Sequence, residues 1–198
     1  MLVTKKAPDF TATAVLADGQ IVEDFNLMEN LGEKGAVLFF YPLDFTFVCP
    51  SEIIAFSHRA DEFRARGINL IGCSVDSQFS HFAWRETEVK NGGIGRVDMP
   101  LVADLNKQIA RDYDVLLDDA VALRGSFLID ADGTVRHAVI NDLPLGRNID
   151  EMIRMVDTML FTNENGEVCP AGWVKGDEGM KDTTEGVAQY LEKHAQEL

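Results

Sequence analysis

What this 198-residue chain lacks narrows its function before any motif is read. It has only three cysteines, an odd number at wide spacing, so no disulfide framework of the secreted kind can be drawn. No Cys-x-x-Cys pair occurs, which removes the adjacent dithiol of a thiol-disulfide oxidoreductase. Any second redox cysteine must come from far along the chain. Bases are outnumbered, 18 Lys and Arg against 33 Asp and Glu for a formal net charge of -15, and such a surface disfavours nucleic acid and anionic membranes as partners. No run of about eighteen apolar residues occurs, and the opening MLVTKKAPDF lacks the long apolar segment of a signal peptide. A cytoplasmic protein is expected. The four histidines, His58, His81, His137 and His194, have no metal-ligand spacing with the cysteines.

What is present begins with a 46% hydrophobic composition, ample for one sizeable core. Ala36 to Tyr41 form a continuous apolar and aromatic run, the pattern of a strand buried on both faces in a parallel sheet. Pro42 ends it. After a short aromatic loop, Cys49 is followed by Pro50 and Glu52, the signature of a helix start. Ile53, Phe56, Ala60 and Phe63 share one helix face, and Gly67 is placed to close the helix in a left-handed conformation. Cys49 is therefore expected at or beside the N-cap. There the positive end of the macrodipole stabilises a thiolate, which is the nucleophilic form. A buried structural thiol is the alternative reading, because free cysteine is among the most buried residue types.

In chain order, Thr11–Leu16 and Gln20–Val22 flank Asp18-Gly19 as a hairpin, read as an added edge. Ile68–Val75 is a second apolar strand, parallel to the first, and Cys73 within it reads as packing. Ser77 to Lys90 reads as a helix bearing Phe79, Phe82 and Trp84, and Asn91-Gly92-Gly93-Ile94-Gly95 as a flexible loop. Met99–Ala103 is a short strand and Leu105–Tyr113 a short helix. Ser126–Ile129 and Thr134–Ile140 form a hairpin across Asp130-Ala131-Asp132-Gly133. A helix capped by Asn148 follows, with Ile149, Met152, Ile153, Val156 and Leu160 on one face. Cys169 lies beyond it in a loop-like setting.

A βαβ unit, an insertion and a ββα unit resemble the thioredoxin fold. The expected class is α/β: a thioredoxin-like fold with an N-terminal hairpin, a central insertion and a C-terminal tail. Domain 1–162 would carry the core and 163–198 the tail.

Tyr41-Pro42-Leu43-Asp44-Phe45-Thr46-Phe47-Val48-Cys49-Pro50-Ser51-Glu52 resembles the active-site motif of typical two-cysteine peroxiredoxins. Ile71 to Gln78, Leu123 to Asp130, Asp142 to Arg147 and Gly166 to Trp173 resemble that family in the same order, over nearly the whole chain. The resemblance implies a peroxidatic Cys49 that attacks hydrogen peroxide or an organic hydroperoxide and becomes sulfenic acid. It implies that Thr46 hydrogen-bonds the peroxide, that Arg124 stabilises thiolate and leaving oxygen, and that Pro42 shields the site. Glu52 with Arg147 would hold Arg124. Cys169 would be the resolving cysteine of the partner subunit, forming an intersubunit disulfide that thioredoxin or a flavoprotein disulfide reductase reopens. The further implications are an obligate homodimer, a ring of five dimers, no metal and no bound cofactor. Gly92-Gly93-Ile94-Gly95 is similar to a loop of peroxide-sensitive members, whereas Tyr190-Leu191 departs from their Tyr-Phe. A protein disulfide oxidoreductase would want the missing cysteine pair, and a holdase function would coexist with peroxidase activity.

Overall fold

The computed structural model describes residues 1–196; the last two positions of the expected tail lie outside the described residues. The opening hairpin forms as β1 (Thr11–Val15) and β2 (Ile21–Asn26), antiparallel to one another. The βαβ unit follows. β3 (Gly35–Phe40) is buried at every position, as its unbroken apolar sequence requires, and β4 (Ile68–Ser74) pairs with it in parallel.

Between them the single helix expected from Cys49 to Gly67 is two: α1 (Cys49–His58) and α2 (Ala60–Arg64). Arg59 leaves the helical region, at φ -100 and ψ 3, and its N–H turns to the Phe56 carbonyl at 3.1 Å. Periodicity hides this break because Ile53, Phe56, Ala60 and Phe63 are all buried across it. Gly67 does take the left-handed conformation, at φ 72.

Helix α3 (Gln78–Glu86) starts where the Ser77 hydroxyl accepts from the Ser80 N–H, at 3.3 Å. It stops short of Lys90 because Thr87 is extended, at ψ 130. The loop beyond, read from composition as flexible, is built to close tolerance. The Trp84 indole donates to the Gly92 carbonyl at 2.9 Å, and Ile94 is buried. A Cβ on Gly93 would lie 1.9 Å from the Thr87 carbonyl oxygen, whereas one on Gly92 would meet nothing within 4 Å. Gly93→Ala is therefore expected to cost about 3 kcal/mol in urea unfolding, by forcing backbone apart. Gly92→Ala should cost only about 1 kcal/mol, the penalty of a left-handed Cβ. Equal losses would show that the close approach at Gly93 is not limiting.

Strand β5 (Leu101–Ala103) joins β4 in parallel and β1 antiparallel, and the carboxylate of Asp104 caps α4 (Gln108–Asp112) through the amides of Ile109 and Ala110. A two-residue ribbon that the sequence did not suggest follows, β6 (Leu116–Leu117) with β7 (Val121–Ala122). Strands β8 (Arg124–Asp130) and β9 (Val135–Asn141) make the second hairpin, and β8 lies antiparallel to β3. The sheet order is β2-β1-β5-β4-β3-β8-β9, so the first hairpin extends one side of the central strands.

The chain divides into compact units 1–149 and 150–198. In the second, α5 (Ile149–Asn165) buries Met152, Ile153, Val156 and Met159; Leu160 is only partly covered, because the buried stripe passes through its neighbour. Val168 and Met180 exchange two backbone hydrogen bonds of 2.9 Å, Phe161 packs on Trp173 at 4.8 Å, and Thr183 caps α6 (Thr184–His194). Among the described residues no helix is long and apolar enough to cross a membrane.

Candidate active site

The site follows from one strand pairing. The loop carrying Cys49 leaves the end of β3, and antiparallel pairing sets the beginning of β8 beside that end, with Phe39 opposite Ser126. Arg124, the first residue of β8, is thereby delivered to the first turn of α1. Cys49 opens α1, with Val48 as the capping position and Pro50 in the first turn. It is wholly buried.

Two donors reach its sulfur. The Thr46 hydroxyl lies 3.0 Å from Sγ and 2.8 Å from the Leu43 carbonyl, so its single proton serves one acceptor at a time. Arg124 Nη1 lies 3.4 Å from Sγ and 2.7 Å from Glu52 Oε2, while its Nε donates to the Leu143 carbonyl at 2.6 Å. Pro42 is buried at the start of the loop.

Glu52, an acid of the helix start that the resemblance sets with Arg147 to hold Arg124, turns its carboxylate to both guanidinium groups. Oε1 accepts from the backbone N–H and the Nε of Arg147, both at 2.8 Å, and Oε2 accepts from Arg147 Nη2 at 2.9 Å as well as from Arg124. Burial alone would raise the pKa of this carboxyl; the hydrogen bonds and charge of Arg147, with the charge of Arg124, overcome that and hold it below the usual carboxylate range. Arg147 is fixed in turn by the Gly125 carbonyl at 2.7 Å and the Ser126 hydroxyl at 3.0 Å, and lies over the rings of Phe39 and Phe56. Two guanidiniums and one carboxylate leave one uncompensated positive charge against Sγ. That is the charge a reaction developing a sulfur or oxygen anion needs.

The other two cysteines differ. Cys73 is buried in β4, where burial, and then the charge of Asp104, push its thiol well up. Cys169 belongs to the second unit and is partly exposed, its sulfur 3.9 Å from the Thr158 carbonyl. Its pKa is raised by burial, against which the charge of Arg154 acts. All three are free thiols. The structure thus brings Cys49, Thr46, Arg124 and Glu52 together with Arg147. Asp44 of this loop pairs with His81 of α3, and neither has a role in the sequence reading; an isolated histidine on an amphipathic helix carries no signal that could have found it.

Comparison with known proteins is consistent across the chain. Residues 3–138 match the AhpC/TSA family, and residues 159–193 match the C-terminal domain of 1-Cys peroxiredoxin. Alkyl hydroperoxide reductase C of Helicobacter pylori is 62% identical over 198 residues, covering 100% of both chains. Peroxiredoxin-1 of Gallus gallus is 52% identical over 192 residues, 96% of each chain. The crystal structure of the reduced 2-Cys peroxiredoxin of Plasmodium vivax superposes with a TM-score of 0.94 at 48% identity, covering 97% of this chain and 99% of that one.

Proposed function

Because the chain belongs to the AhpC/TSA family, the peroxiredoxins, and is a thiol-dependent peroxidase with a thioredoxin-like fold, we propose that Cys49 is its peroxidatic residue. The sulfur attacks the nearer oxygen of a hydroperoxide as thiolate, the O–O bond breaks, and the departing oxygen leaves with a proton as water or alcohol. The sulfur becomes sulfenic acid. Thr46 orients the peroxide by accepting a hydrogen bond from its O–H and donating one to an oxygen, Arg124 stabilises the charge that passes from sulfur to the leaving oxygen, and Pro42 shields the pocket. Glu52 positions Arg124. The observation that supports this most directly is the pair of donors on one buried sulfur, Thr46 at 3.0 Å and Arg124 at 3.4 Å.

The reading continues with Cys169 of the partner subunit, whose thiol displaces hydroxide from the sulfenic sulfur as water and leaves an intersubunit disulfide. Thioredoxin or a flavoprotein disulfide reductase then returns both thiols. In this division of labour residues 1–162 carry the peroxidase chemistry and 163–198 the resolving thiol. The protein works as an obligate homodimer in the cytoplasm, in antioxidant defence. The reading includes a ring of five dimers; Phe47 in the active-site loop and Phe79 on α3, 97% and 69% accessible, are exposed aromatic residues of the kind an assembly surface covers.

Consumption of hydrogen peroxide followed by stopped flow, with and without thioredoxin, tests the cycle; no consumption with any dithiol would overturn it. On a non-reducing gel, the peroxide-treated protein is expected to run as a covalent dimer. Cys169→Ser should lose that band completely. A wild type that stays monomeric after oxidation would remove the intersubunit step.

A further inference from the structure

We infer that Asp44 and His81 are a buried positioning pair that holds the Cys49 loop folded and sets how fast Cys49 can be released for disulfide formation. This rests on the proposed roles of Cys49 and Cys169. Cys49 is completely buried in the first turn of α1, so its sulfenic sulfur meets another thiol only after the loop opens.

Three groups hold that loop at Asp44, two residues before Thr46, and one of them is tied onward to β5. The Tyr41 hydroxyl donates to Asp44 Oδ1 at 2.9 Å, and His81 Nδ1, from α3, stands 2.8 Å from Oδ2. The Asp44 backbone N–H donates to Asp76 Oδ2 at 2.6 Å, beyond β4. His81 Nε2 reaches the Val102 carbonyl of β5 at 3.1 Å. Both ring nitrogens of His81 thus face oxygen, and the His81 and Asp44 side chains are at 1% exposure or less. Burial, and then the charge of Asp44, keep the Tyr41 phenol protonated and therefore a donor.

The next residue shows what the pair works against. Phe45 sits at φ 53, a left-handed conformation that a bulky side chain adopts only where its surroundings impose it. Its ring is half-exposed and packs on Trp84 at 5.7 Å. A strained residue beside a buried anchor makes the loop a spring that opens once the anchor is lost.

Two substitutions at one position separate anchoring from packing. In His81→Gln the amide reaches the Val102 carbonyl but not Asp44; in His81→Asn it takes the place of Nδ1 and still donates to Asp44. The full-length reduced protein is mixed with hydrogen peroxide and quenched, and mass spectrometry counts the Cys49–Cys169 disulfide against sulfinic acid at Cys49, the product of a second peroxide. For H81Q the ratio of disulfide to sulfinic acid should rise about tenfold, the size expected for a lost hydrogen bond to a charged group. H81N should stay within about twofold of wild type. Asp44→Asn, which can still accept from Tyr41 and donate to His81, should shift the ratio about threefold in the same direction, and serves if H81Q does not fold. An unchanged ratio in H81Q or, failing its folding, in D44N would overturn the inference, as would equal shifts in H81Q and H81N. Wild type that forms neither product would instead overturn the roles of Cys49 and Cys169.

Discussion

Cys49→Ser is expected to lower peroxide turnover by on the order of a thousandfold or more, the scale seen when a catalytic nucleophile is removed, whereas Cys73→Ser should leave turnover within about twofold. The hydroxyl keeps the shape of the first turn of α1 and the reach of Thr46 and Arg124, but it is not a comparable nucleophile. Cys73 has neither donor. It is packed in β4, with its thiol pushed up by burial, so it holds its proton and stays inert. Stopped-flow consumption of hydrogen peroxide in excess dithiol measures both variants. Comparable losses would remove Cys49 from its assigned role.

The second large effect separates catalysis from stability within one cluster. Arg124→Leu is expected to cost about 100- to 1,000-fold in the peroxide step, as removal of a preorganised donor to a developing anion does. It should cost little stability, because Glu52 keeps Arg147 as a balanced buried pair. Glu52→Gln inverts this pattern. It leaves two guanidiniums facing one another in a buried site, and breaking such a network costs about 3–5 kcal/mol. Urea unfolding under reducing conditions, beside stopped flow, reads both; a larger stability loss in R124L than in E52Q would show that the cluster's charge balance has been misassigned. The pH dependence follows from the same carboxyl. Its folded pKa lies below the unfolded value, so the stability it contributes is present above the unfolded pKa and is lost as pH falls through the folded one. E52Q should show a flatter acid limb than wild type.

Much of this arrangement was legible in sequence, for reasons specific to each part. The unbroken apolar run of β3, the Cys-Pro-x-x helix start and the two Asp-Gly hairpins are local signals, and local physics decides them. The break at Arg59 was not legible because α1 and α2 keep their apolar faces in phase. The ribbon of β6 and β7 is too short to have a period. Gly92 to Gly95 look slack by composition, yet the close approach to Thr87 and the bond from Trp84 are contacts no composition reveals. In the site, Cys49 and Thr46 share one motif. Arg124, by contrast, follows from sequence only through resemblance, since its arrival depends on which strand pairs with β3. The partners of Glu52 likewise follow only through resemblance, and the pairing of Asp44 with His81, set by tertiary contacts, does not follow from sequence at all.

The adjacency of β3 and β8 also dictates the order in which reactivity can appear during synthesis. A parallel partner for β3 emerges soon after it, as β4, but the antiparallel partner that brings Arg124 arrives only after the insertion has been made. Glu52 waits longer still, because Arg147 follows β9. Contacts of such long sequence separation form late. A growing chain therefore carries Cys49 without the Arg124 cation until the second hairpin docks. With the role proposed for Cys49, oxidation chemistry would be switched on by completion of the fold rather than by emergence of the cysteine.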